Sequence, residues 1–196
     1  MKPPGLPEDE ASRLQELLGL GVLDTPPEPV FDDLASLASH VAGTPIALVS
    51  LVDAERQWFK ARVGLDAEQT PRDVSFCGHV VEGGEALVVE DARQDDRFAD
   101  NPLVTGGPGV MFYAGIPLST SQGNTLGTLC VIDQTPRTIS NAQLDALRAL
   151  ARQVVSQLEM RRAREEKAVL DRVQEAFWTN SLDLLCTAGF NGYFTR

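Results

Sequence analysis

Apolar positions along this chain fall into three rhythms, and each marks a different kind of element. Over Glu8 to Leu20 the residues Leu14, Leu17 and Leu18 recur at helical spacing. Acids at Glu8, Asp9 and Glu10 suit the positive end of that helix, and Gly19 and Gly21 end it. Thr25-Pro26-Pro27-Glu28 reads as a second helix start, with threonine as cap, proline in the first turn and glutamate reaching back. The helix it opens places Phe31, Leu34, Ala35, Ala38 and Val41 on one side and closes at Gly43.

The period then changes. Ile46 to Val52 is a near-continuous apolar run suited to a central strand. After the turn Asp53-Ala54-Glu55, Gln57 to Val63 alternates around Trp58, Phe59 and Val63 and pairs with it as a hairpin. Leu87-Val88-Val89 is a short third strand. Met111 to Leu118 and Thr125 to Ile132 form a further pair across the polar turn Ser121-Gln122-Gly123-Asn124. Thr70 to Gly84 and Asp91 to Gly109 are long connections, and long loops inside a domain either carry function or wrap the sheet with short helices.

Ser140-Asn141-Ala142-Gln143 is another capping box, opening a helix with no glycine or proline before Gly189. Leu144, Leu147, Ala151, Val154 and Leu158 follow a three-four spacing, the pattern of a coiled-coil seam. The register meets Arg161 and Glu165, then resumes at Val169 and Val173 after an offset of four residues, a stutter. A helix from Asn141 to Thr179 would be roughly 58 Å long. Its first half can pack on the sheet or the early helices. Its second half needs a partner, and a parallel copy of itself is the simplest; a solvated linker helix is the plainer alternative.

Beyond it, the short apolar runs Leu182–Cys186 and Tyr193–Thr195 flank Phe190-Asn191-Gly192, a hairpin-turn signal. An isolated hairpin is marginal in water, so the expectation is the opening of a second domain. A hairpin folded back on the main domain is the alternative.

Composition narrows the class. The chain has 196 residues, 43% of them hydrophobic and 23% charged, ordinary values for a globular protein. No apolar run reaches the length of a membrane span and no signal peptide opens the sequence, so the expectation is cytoplasmic. Cys77, Cys130 and Cys186 are odd in number and widely spaced, which is no disulfide framework. A net charge of −11 argues against nucleic acid as a partner. The charge is uneven. Between Asp66 and Asn101 there are ten acids against three arginines, and between Arg148 and Arg172 seven bases against four acids. Two solvated surfaces explain this; the sharper reading has the acidic face of one copy meeting a basic helix.

Several strings then carry a family resemblance. They are Leu23-Asp24-Thr25-Pro26-Pro27 with Phe31-Asp32, Pro45-Ile46-Ala47, Ser50-Leu51-Val52-Asp53, and Arg56-Gln57-Trp58-Phe59-Lys60. Next come Ser75-Phe76-Cys77-Gly78-His79 and Asp96-Arg97-Phe98-Ala99-Asp100-Asn101-Pro102. The set closes with Phe112-Tyr113-Ala114-Gly115-Ile116-Pro117-Leu118, Leu126-Gly127-Thr128-Leu129-Cys130-Val131-Ile132-Asp133 and Pro136-Arg137. In this order, over Leu20 to Arg161, they resemble the GAF domain of bacterial signal-transduction proteins. Ser181 to Arg196 resembles the start of a truncated PAS domain.

The resemblance implies an α+β fold. A five- to six-stranded antiparallel sheet would carry helices from both ends of the chain on one face and loops over a pocket on the other. It divides the chain into a flexible tail at 1–7, a GAF domain at 8–160, a linker or signalling helix at 161–180 and a PAS-like start at 181–196. It implies a sensory or dimerising module, itself no enzyme, upstream of a PAS domain and an output domain such as a histidine kinase or diguanylate cyclase. Transmission would run through a homodimer of terminal helices along Leu144, Leu147, Ala151, Val154, Leu158, Val169 and Val173. A GAF domain used purely for dimerisation or docking is the alternative.

Pocket candidates are Trp58, Phe76, Cys77, His79, Arg97, Phe98, Phe112 and Tyr113, each of the aromatics equally suited to plain core packing. Cys77 and His79, two apart, suggest a nucleophile with its base or two metal ligands. A metal site needs more ligands, and only Cys130 and His40 remain, so no metal is expected. A relative of the fold, the free methionine-R-sulfoxide reductase, uses cysteines over the same pocket. Here Cys77 lies in a comparable loop, but Cys130 sits in an apolar strand and no cluster of loop cysteines is present. The Asn-Lys-Phe-Asp-Glu signature of cyclic-nucleotide binding is absent, and no cofactor is evident. Arg97 either pairs with a carboxylate at the pocket rim or serves the loop, and Asp100 and Asn101 fit loop architecture.

Overall fold

The computed structural model describes residues 1–181, 187–188 and 194–195, with side chains through Phe177. The chain divides into two compact units, Met1–Glu159 and Met160–Arg196.

The first unit begins with helices α1 (Glu10–Gly19) and α2 (Pro29–Ala42), followed by strands β1 (Ile46–Val52), β2 (Arg56–Val63) and β3 (Gln69–Pro71). Helix α3 (Phe76–Gly83), strand β4 (Leu87–Val89), the single turn α4 (Pro102–Thr105) and strands β5 (Phe112–Ser119) and β6 (Thr125–Asp133) complete the sheet. Helix α5 (Asn141–Ser181) starts in this unit. The six strands pair antiparallel in the order β3-β2-β1-β6-β5-β4, an α+β architecture.

Strand alternation separates two cores. Ala47, Val49 and Leu51 of β1, with Phe112, Ala114, Ile116 and Leu118 of β5, pack against Leu17 of α1, Phe31, Ala35 and Ala38 of α2, and α5. Ile46, Leu48 and Val52, with Phe59, Tyr113, Cys130 and Ile132, pack against α3 and the loops on the opposite face. Two-sided burial is why β1 reads as an unbroken apolar run. The pairing of β1 with β2 slips between Val49↔Ala61 and Ser50↔Phe59, leaving Lys60 as the extra residue of a bulge. Buried there, the Lys60 ammonium donates to Glu28 (2.7 Å), Thr25 Oγ1 (2.9 Å) and the Pro26 carbonyl (2.8 Å).

That cluster corrects the expected start of α2. Thr25 does not cap; its hydroxyl donates to the Val22 carbonyl at 2.6 Å, and Pro29 occupies the first turn behind Glu28. Gly43 closes the helix as expected, with a left-handed φ of 67°. In α1 the buried residues are Arg13, Glu16 and Leu17, with Leu20 buried just past its end, while Leu18 is 65% exposed. Arg13 survives burial because every turn of its guanidinium finds a partner. It donates to both Glu10 carboxylate oxygens, at 2.7 and 2.8 Å, and to the Val52 carbonyl at 2.7 Å. Arg72 meets the same Glu10 at 2.5 Å and the Asp53 carbonyl at 2.8 Å.

Residues 1–7, expected as a flexible tail, lie against α3 and the loop before α4. Lys2 donates its amide to the Arg97 carbonyl (3.0 Å), and the Gly5 amide donates to Glu82 (2.8 Å). The Met1 ammonium pairs with Asp100.

The capping box at α5 forms. The Ser140 amide donates to Gln143 Oε1 at 3.0 Å, and the Gln143 amide donates to Ser140 Oγ at 3.3 Å. The Gln143 side-chain amide also donates to the Val41 carbonyl at 3.0 Å, so one residue caps α5 and ties down the end of α2. Leu147, Ala151, Val154 and Leu158 are buried in the helix-side core, with Leu144 partly buried beside them. The three-four spacing of Leu147, Ala151, Val154 and Leu158, expected as a seam with a second copy, is thus occupied by the protomer's own core.

The second unit holds the remainder of α5 and a two-stranded antiparallel sheet, β7 (Thr187–Ala188) with β8 (Phe194–Thr195). Thr187 pairs with Thr195 and Ala188 with Phe194, so the first arm starts one residue past the apolar run Leu182–Cys186. That run, the Phe190-Asn191-Gly192 turn and Tyr193 lie outside the described residues. Val169, Leu170, Val173 and Phe177 of α5 are each more than half exposed within the described chain. Among the described residues no helix is long and apolar enough to cross a membrane.

Candidate functional site

On the face of the sheet away from α1 and α2, the strands, α3 and the α4 loop enclose a cavity of about 370 Å³. Its floor is Leu48, Gln57, Phe59, Tyr113 and Ile132 of the sheet. Its walls are Thr70 of β3, Phe76 and Cys77 of α3, and Leu103, Pro108 and Val110 around α4, with Asp66 in the loop between β2 and β3. A larger and more open groove of about 630 Å³ lies between α5 and the β4–β5 edge, lined by Arg148, Arg152 and Glu159, and holds no orphaned polar atom.

Local sequence sets the walls. Ser75 caps α3, its Oγ accepting from the Gly78 amide at 2.7 Å, which fixes Phe76 and Cys77 in the first turn. Asn101 caps α4 by accepting from the Leu103 amide at 2.8 Å, and its side-chain amide donates to the Val74 carbonyl at 2.9 Å, binding the two loops together. Gly115 faces Tyr113 on β5, and any Cβ there would collide with the Tyr113 hydroxyl, so glycine is what lets the ring lie over the sheet.

Six of the eight pocket candidates gather on this face, three of them on the cavity lining. Phe76 stacks on Phe98 with ring centroids 3.9 Å apart, and Tyr113 tilts against Phe76 at 5.1 Å. Phe76, Cys77 and Tyr113 line the cavity; Phe98 stands behind them, fully buried. Arg97 lies over the Phe98 ring at 5.1 Å and forms a two-pronged pair with Asp95, at 2.9 and 2.6 Å, so it braces the stack rather than the cavity wall. His79 meets the Phe98 edge at 5.0 Å, contacts the Lys2 carbonyl at 3.1 Å, and has its pKa lowered chiefly by burial. Trp58 and Phe112 lie elsewhere: strand parity turns both into the helix-side core. Phe59 and Tyr113, their neighbours in sequence, are the ones that face the cavity.

Three polar features were not anticipated. Gln57 Oε1 and Thr70 Oγ1 are buried at the cavity with no protein hydrogen-bond partner. Gln57 is only 4% exposed. An unmatched buried acceptor costs about 1–3 kcal/mol, so such atoms mark where another molecule belongs. The third feature is the environment of Cys77. Thr128 Oγ1 donates to its sulfur at 3.0 Å, Tyr113 Oη donates at 3.4 Å, and Cys130 Sγ stands 3.8 Å away. Burial pushes the Cys77 thiol up, but these contacts from Cys130, Thr128 and Tyr113 outweigh it and bring the pKa below that of a free thiol. Cys130 moves well upward, because its neighbour Cys77 and burial both oppose its ionisation. Gln57 stands in a strand that also holds Arg56, Lys60 and Arg62, so nothing in the sequence singled it out. Among the described residues no group of three or more His, Cys, Asp or Glu is placed to hold a metal ion.

Comparisons with known proteins agree with this architecture. A cyclic di-GMP phosphodiesterase of Pseudomonas aeruginosa is 43% identical over 164 residues, covering 83% of this chain and 28% of that protein's length. The chain thus spans little more than a quarter of that relative. Among solved structures, the GAF domain of a phosphoenolpyruvate-protein phosphotransferase from Coxiella burnetii superposes with a TM-score of 0.60 at 16% identity, covering 81% of this chain and 97% of that one. The free methionine-R-sulfoxide reductase of Neisseria meningitidis gives 0.57 at 18% identity, covering 83% of this chain and 99% of that one. At such identities these two likenesses show the fold alone. The family model for the GAF domain matches residues 26–158, and the chain belongs to the GAF domain family.

Proposed function

We propose that this chain is a cytoplasmic sensory module of a longer signalling protein, and that it takes a small polar molecule into the cavity beneath α3 and α4. The observation that carries this reading is the pair of orphaned oxygens, Gln57 Oε1 and Thr70 Oγ1, in a largely apolar cavity. A ligand with a hydrogen-bond donor beside an apolar or aromatic body would satisfy both oxygens while packing on Phe59, Phe76 and Tyr113. Occupancy would stiffen the contacts of α3 and α4 with the sheet and shift the populations of two sheet–helix packings.

Output follows α5. The exposed residues Val169, Leu170, Val173 and Phe177 form the segment through which two copies would pair as a parallel coiled coil. A PAS-like domain would open after it, followed by the output domain. The relative named above is a cyclic di-GMP phosphodiesterase. We therefore assign the parent's output to cyclic di-GMP turnover rather than to a kinase.

A thermal-shift screen of small polar metabolites and nucleotides tests the sensory reading, because a ligand that prefers the folded state raises the melting temperature by mass action. A screen without a single hit would leave a docking or dimerisation domain and end the sensory reading. Light scattering at rising concentration tests pairing; a strict monomer at high concentration contradicts it.

A further inference from the structure

The cavity wall holds a second chemistry that ligand binding does not use. Cys77 belongs to the cavity lining, although the residue is only 1% exposed, so an oxidant reaches its sulfur from the cavity side when the wall breathes. Cys130 stands directly behind it on β6, fully buried and away from the cavity surface, with the two sulfurs 3.8 Å apart. Thr128 and Tyr113 both aim hydroxyls at the Cys77 sulfur, an arrangement that favours its thiolate. Two thiols at this range, one lining the cavity and one behind it, form an ordered pair: one to meet an oxidant and one to resolve the product.

We propose that Cys77 is a modification site for hydroperoxides, and that Cys130 captures its oxidised form as an intramolecular disulfide joining α3 to β6. The Cys77 thiolate attacks one oxygen of hydrogen peroxide. The O–O bond breaks, leaving a sulfenic acid on Cys77 and a hydroxide that becomes water with the proton Cys77 released. The Cys130 sulfur then attacks the Cys77 sulfur. Its proton leaves with the departing hydroxyl as a second water, and the S–S bond forms. Two thiols and one hydrogen peroxide become one disulfide and two waters.

The site uses the cavity as an entry route and stands whether or not a ligand ever occupies it. Its test is therefore made on purified protein without ligand, and reads thiols rather than binding. A Cys186→Ser chain leaves only the two thiols in question. Treated at neutral pH with one equivalent of hydrogen peroxide while folded, it should lose both free thiols and the mass of two hydrogens. Peptide mapping should then recover a link between the segments holding Cys77 and Cys130. In a Cys130→Ser chain the reaction should stop at a sulfenic acid that dimedone labels on Cys77. Thr128→Val, which removes one hydroxyl from the Cys77 sulfur without opening a void, should move the pH midpoint of the peroxide reaction upward by on the order of one unit. Retention of both thiols by the folded chain, under peroxide that oxidises the urea-unfolded chain, would overturn the proposal. So would labelling of Cys130 ahead of Cys77, or links formed only between chains.

Discussion

Gln57 and Thr70 sit opposite each other in the pairing of β2 with β3, and each buries a side-chain oxygen that no protein group satisfies. Both line the cavity. Their cost is carried by the empty protein, so it should be recoverable by substitution. The double variant Gln57→Leu with Thr70→Val is expected to raise unfolding stability by about 1–2 kcal/mol in urea titration. A loss of stability would mean that the two oxygens are matched in solution.

The Glu10 cluster should make stability fall with acid. Burial raises this carboxyl, but hydrogen bonds from Arg13 and Arg72 outweigh it and hold the pKa at about 2, below its ordinary 4.5. A folded-state value below the unfolded one means the stabilisation is present above about pH 4.5 and is lost as pH falls through 2. By linkage the effect is about 3 kcal/mol. Stability curves of wild type and Glu10→Gln should therefore converge between pH 5 and about pH 2. Parallel curves across that interval would show that the arginines do not depress the carboxyl.

The two stretches of α5 should respond differently to substitution. Leu147→Ala or Val154→Ala removes a fully buried side chain from the helix-side core and should cost about 2–4 kcal/mol with no change in self-association. Val169→Ser with Val173→Ser touches exposed positions and should leave the melting temperature of dilute protein within a degree or two while weakening self-association. Light scattering beside thermal melts separates the two effects. Dimer loss on Val154→Ala alone would contradict this division.

The contrast within α5 shows what a single sequence can and cannot specify. Three-four spacing records that Leu147, Ala151, Val154 and Leu158 are buried; it carries no record of whether the burying surface belongs to the same chain. The strands were legible because β1 and β6 are buried on both faces and interrupted by turn residues. Their facing was not. Trp58 and Phe59 are adjacent aromatics, and only the register of β2 against β1 decides which one meets the cavity. Cys77 and Tyr113 could be named from the strings that hold them, whereas Gln57 and Thr70 could not. A glutamine and a threonine on paired strands look like surface residues until the fold buries their oxygens without partners. Arg13 escaped notice for the same reason: an arginine in an amphipathic stripe reads as exposed unless Glu10 is known to turn inward beside it.

The melting temperature of wild type and of the Gln57→Leu, Thr70→Val double variant, measured side by side with each member of the small-molecule panel, tests the sensory account most directly. The account predicts at least one compound that raises the wild-type midpoint by about 5 °C or more at a hundredfold excess over its Kd, and raises that of the double variant far less. Equal shifts in both proteins, or none in either, would contradict it.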